Sequence, residues 1–175
     1  MNIKHVLVAS ALTLSLSASV LAVNDTQSAS ASSWHTGLPS FVKKSEAWMS
    51  TKKFPNGSVK GWYKHYILYT STKIKDQNVA LAYFGFQKSG KATEMGTVEA
   101  VLLKLVYKQI GKNTYQMKDG KYSKDSLHWN YIVKKSGKGF TMKMKGDFTG
   151  YKHWKSFGKF VKVPNRNDYP TDPLR

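Results

Sequence analysis

The chain of 175 residues has no cysteine, and of its 28 basic residues only Arg166 and Arg175 are arginines. The first absence removes disulfides and cysteine nucleophiles, so a packed core must hold the fold unaided. The second removes most bidentate grip on phosphate or carboxylate, because lysine acts as a hydrated point charge. Acids are scarce as well: ten, against 28 basic residues, give a net charge of +18. Enzyme signatures are missing: there is no His-Glu-x-x-His, no Gly-x-Ser-x-Gly and no phosphate-cradling glycine loop. Glu94 and Glu99 stand five apart around Gly96, a spacing that does not point to a paired-carboxylate hydrolase. No apolar run reaches the ~20 residues of a membrane-spanning helix.

The one long apolar run is Val6–Leu16, preceded by Lys4 and His5 and followed by Ser17–Ala22 (SASVLA). Basic start, short apolar stretch and small residues at Val20 and Ala22 predict a signal peptide cleaved after Ala22. The mature chain then carries a net charge of about +17. It is expected outside the cell, released or held to the surface by charge alone, and the lack of cysteine suits a Gram-positive bacterium. Residues 23–33 (VNDTQSASASS) read as a flexible leader, 34–163 as one domain, and the proline-rich 164–175 as a loose tail.

Within 34–163, strand-like runs alternate with turn residues. In 127–135 (LHWNYIVKK), Leu127, Trp129, Tyr131 and Val133 share one face, with His128, Asn130 and Lys134 on the other. In 140–145 (FTMKMK), Phe140, Met142 and Met144 oppose Thr141, Lys143 and Lys145, and Ser136–Gly139 makes a hairpin turn between the two runs. Residues 97–111 (TVEAVLLKLVYKQIG) fit a helix capped by Thr97 and Gly111, or a strand with Val101, Leu103, Leu105 and Tyr107 inward. The hairpin signature Gly111-Lys112-Asn113 favours the strand. Eight strands result, at about 46–53, 65–75, 79–88, 98–110, 114–118, 126–135, 139–145 and 158–163. Antiparallel neighbours on short turns predict an all-β meander closed into a small barrel, whose interior is either filled or open to one small ligand.

Three stretches, "GLPSFVKKSEAW" (37–48), "YKQIGKNTYQM" (107–117) and "FGKFVKV" (157–163), resemble small lysine-rich secreted proteins of lactic acid bacteria. Leu38-Pro39 and Trp48 match that group's opening, and Glu46 stands where the group has Gly. The resemblance implies a lipocalin-like barrel and no assigned chemistry.

The histidines adjoin tryptophans: His35 by Trp34, His128 by Trp129, His153 by Trp154. Strand neighbours point to opposite faces, and no ligand spacing demands a metal or any other cofactor. The candidate apolar-ligand residues are Trp48, Trp129, Tyr131, Phe140, Met142 and Met144 in the interior, with Tyr151 and Trp154 in a loop over one mouth. "GYKHWKSFGKF" (150–160) sets rings beside lysines, either as a lid or as a surface that stacks on sugars while ammoniums meet anions. Lys152, Lys155, Lys159 and Lys162 are the candidate polyanion contacts. The expected function is that of a secreted cationic monomer without specific nucleic-acid readout. It would be held to anionic envelope polymers such as teichoic acid, with a small apolar ligand inside. The alternatives are a cationic antagonist of other cells' membranes and a secreted polymer hydrolase.

Overall fold

The structure is a computed structural model that describes residues 33–70, 77–93, 97–120, 128–147, 150–163 and 171–174. The expected signal peptide, nearly all of the leader, residues 71–75 of an expected strand, Glu94, Leu127 and the first part of the tail lie outside these residues. Among the described residues eleven strands form one antiparallel sheet: β1 (His35–Thr36), β2 (Ala47–Ser50), β3 (Phe54–Pro55), β4 (Tyr63–Tyr69), β5 (Gln77–Phe86), β6 (Thr97–Leu103), β7 (Val106–Gly111), β8 (Thr114–Lys118), β9 (Trp129–Ser136), β10 (Gly139–Gly146) and β11 (Lys155–Val163). Their order is β1-β7-β8-β9-β10-β11-β2-β4-β5-β6, with β3 paired to β4. The described residues contain no α-helix; the segment before β2 makes a 3-10 turn at Val42–Lys44.

Among the described residues the strands do not close into the expected barrel. The hydrogen-bonded path ends at β6 on one side and at β1 on the other. Two features mark that seam. The single strand foreseen over 98–110 is broken where Lys104 adopts a φ of 46°, a left-handed conformation unusual outside glycine. Gly120 approaches this corner so closely that a Cβ would stand 2.1 Å from the Lys104 carbonyl. The free edge of β7 is then taken by β1, which pairs His35 with Tyr107.

Alternation along the strands sorts the side chains onto two faces. The inner face converges on one core that includes Trp48, Tyr66, Leu81, Ala100, Met117, Tyr131, Phe140 and Phe160, from strands near both ends of the sheet. The sheet is therefore curled around that core. Leu38, Phe41 and Val42, from the segment before β2, join it as well. On the outer face of β2, β4 and β5 a second apolar cluster gathers Ala47, Met49, Tyr63, Ile67, Phe84 and Phe86.

Residues 171–174, expected to be loose, are docked on this second cluster. Thr171 bridges Lys91 and Leu174 packs against the cluster. The buried Asp172 carboxylate accepts a hydrogen bond from Tyr63 Oη at 2.8 Å, and His65 Nε2 lies 3.3 Å away. The backbone N–H of Asp172 donates to Gly90 O at 2.7 Å.

Candidate functional site

Seven of the eight residues expected to line a ligand cavity come together. Trp48, Trp129, Tyr131, Phe140, Met142, Met144 and Tyr151 all belong to the inner core. They meet ring to ring: Phe140 lies 5.1 Å from Trp48, 5.4 Å from Phe160 in a stacked pair and 5.9 Å from Phe41. Tyr151 packs edge-on to Trp129 at 5.5 Å, at the end of β9 remote from the 136–139 hairpin. These contacts are those of a packed interior. Trp154 stands apart, 39 % exposed, with Lys145 Nζ 5.4 Å from its ring centre. The opening stretch of the final strand thus divides between core and surface: Tyr151 and Phe157 enter the core while Trp154 stays outside.

One polar group intrudes on that core, and alternation alone did not reveal it. Leu81 pairs with Ala100 and Ala82 with Val98, so Glu99 is the extra residue of a β-bulge. Bulges re-aim side chains, and here the carboxylate accepts a hydrogen bond from Tyr151 Oη at its Oε1. Burial raises the Glu99 carboxyl above the ordinary carboxylate range, although Lys64, the Tyr66 hydrogen bond and Lys155 all act to lower it. Burial likewise pushes the Tyr66 phenol upward, with the Glu99 charge adding to it. Tyr131, fully buried, is raised by burial and then by the charges of Asp119 and Glu99. Glu99 Oε2 and Tyr131 Oη find no hydrogen-bond partner among the described residues.

The four lysines expected to act together are all exposed but do not share one face. Lys159 pairs with Thr141 on the outer face. Lys155 pairs with Met144 on the inner side, its Nζ 4.5 Å from the Tyr151 ring centre. Lys162 pairs with Trp48, also on the inner side, and Lys152 sits in the loop before β11. A bulge between Met142 and Lys143 of β10 shifts the register against β11. No periodicity reading of 150–163 would have placed it.

Charge is segregated across the described residues. Glu99 faces the core, and Asp119 and Asp172 are buried; only Glu46 and Asp147 are exposed. No described lysine is buried. The loop 53–63 adds an open cleft of about 510 Å³ bordered by Lys53, Lys60, Val59 and Trp62. No protein-family model, curated protein or solved structure matches this chain. What the fold defines is an all-β protein built on one curled antiparallel sheet.

Proposed function

We propose that the protein is an exported cationic binding protein that attaches to anionic polymers of the cell envelope. The observation that carries this reading is the segregation of charge: three of the five described acids point inward or lie buried, while every described lysine reaches solvent. A surface of this kind raises the local concentration of polyanions by its summed field. The packing of Trp48, Trp129, Phe140 and Phe160 on one another supports a binding role for the outside of the sheet over the carriage of a small apolar ligand within it.

The test is retention on purified teichoic acid. Binding is expected at about 0.1 M salt and loss by about 0.5 M, as the Debye length shrinks from ~10 Å to a few Å. Retention unchanged by salt would contradict the reading. A second reading, attachment to an anionic membrane surface, draws on the exposed Val59 and Trp62 beside Lys53 and Lys60. It predicts that anionic vesicles compete with the polymer and that Trp62→Ala abolishes the competition.

A further inference from the structure

Among the described residues the outer face of the sheet has two halves. The half on β2, β4 and β5 is apolar and covered by residues 171–174. The half on β7 to β11 carries no carboxylate at any described paired position. Pairing sets its residues in three rows across the strands. Lys118, Asn130 and Lys145 form the first row, and Lys108, Gln116, Ile132, Lys143 and Ser156 the second. Thr114, Lys134, Thr141 and Lys159 form the third. Strands lie ~4.8 Å apart and alternate residues ~7 Å apart along each. Each of the six lysines therefore has another within roughly one Debye length at 0.1 M salt. Their fields add, and the exposed Asp147, two residues past Lys145 and beside His128, offsets them only at that corner.

Two half-exposed indoles flank the first row. Trp34 lies at its β8 side, with Lys108 and Lys118 Nζ 4.9 and 4.6 Å from its ring centre, and Trp154 lies at its β10 side against Lys145. Between the lysines stand neutral hydroxyls and amides: Thr114, Gln116, Asn130, Thr141 and Ser156. The apolar members at paired positions of these rows, Val106 and Ile132, are half-buried, and Ile110 is exposed at the hairpin end of β7, so the rows offer no apolar centre for a globular partner. The described part of this face has no arginine to make a bidentate fork on a base edge.

We infer that the outer face of β7 to β11 is a docking site for a linear phosphodiester polymer with a polyol or sugar backbone, of the teichoic acid class. Phosphates meet the lysine rows, backbone hydroxyls meet the neutral donors, and the flat faces of sugars or polyols meet Trp34 and Trp154. This inference rests on the polyanion reading above, and it localises that reading to one surface.

The experiment titrates the full chain with purified poly(glycerol phosphate) at several salt concentrations and compares two fourfold variants of equal charge. One neutralises the face: Lys118→Gln, Lys134→Gln, Lys143→Gln and Lys159→Gln. The other neutralises exposed lysines elsewhere: Lys43→Gln, Lys44→Gln, Lys60→Gln and Lys91→Gln. The face variant is expected to lose about tenfold or more in affinity, and its slope of log K against log salt should shallow by about 2 to 3, as counterion release at four fewer contacts implies. The other variant should lose under about threefold and keep its slope. If the face variant unfolds, the double variant Lys134→Gln/Lys143→Gln against Lys44→Gln/Lys60→Gln carries the same comparison at half the charge. Equal losses in both sets would overturn the localised site and leave attachment by diffuse charge standing. No binding by the unaltered chain at low salt would overturn the polyanion reading itself.

Discussion

Trp129 and Tyr131 sit two apart on the inner face of β9, and deletion at the two positions should have opposite consequences. Trp129 is buried against Tyr151, so Trp129→Ala leaves a hole that the surrounding rings cannot fill. Denaturant unfolding should show a loss of about 3 to 5 kcal/mol. Tyr131 is equally buried, yet its hydroxyl has no partner among the described residues. Removing a buried polar group that makes no hydrogen bond removes a desolvation penalty, so Tyr131→Phe should leave stability unchanged or raise it by about 1 kcal/mol. A loss at Tyr131→Phe as large as that at Trp129→Ala would show that the hydroxyl is bound and that the inner face is assigned wrongly.

The C-terminal segment 171–174 acts as a strap over the outer apolar cluster, and Asp172 is what fastens it. Burial works to raise the Asp172 carboxyl, but the backbone N–H of Leu174, the Tyr63 hydroxyl and His65 together hold it below the ordinary carboxylate range. A depressed folded value means that the stabilisation is present above the unfolded pKa of about 3.9 and is lost as pH falls through the folded value. Asp172→Asn should therefore cost about 1 to 3 kcal/mol near pH 7, and thermal melts of the two proteins should converge below about pH 4. A difference that persists unchanged at pH 3 would assign the cost to shape and not to charge. This strap was illegible in "PNRNDYPTDPLR", whose prolines and polar residues give no periodic signal. By contrast the faces of β9 and β10 were legible, because alternation over 129–134, broken only by Ile132, and strict alternation over 140–145 each favour one assignment. The corner at Lys104 was hidden inside the β-prone run 97–111, since the close approach of Gly120, two residues past β8, to the Lys104 carbonyl is visible only in the fold. The bulge that turns Glu99 inward was hidden for the same reason: it is a property of the pairing with β5.

On the scale of the whole molecule, each strand distributes lysines by its own alternation, but the order β7-β8-β9-β10-β11 is what assembles them into one surface. Local pattern places Lys134, Lys143 and Lys145 outward; it does not say that β8 lies beside β9 or that Lys108 shares a row with Lys143. The candidate lysines of 152–162 were read from a single stretch; alternation sets Lys162 opposite Lys159, and the bulge in the β10–β11 pairing sets Lys155 opposite Lys159 as well. The curled sheet thus separates three environments: a packed inner core, a strapped apolar half and a lysine half bordered by Trp34 and Trp154. The most direct measurement is an amide and indole nuclear magnetic resonance titration of the full chain with poly(glycerol phosphate) at low salt. Shifts should concentrate at 106–118, 130–134, 141–145 and 156–159 and at the indoles of Trp34 and Trp154, with Tyr63–Tyr69 and 171–174 unmoved. Shifts spread evenly over every lysine-bearing segment, or centred on the strapped half, would contradict the account.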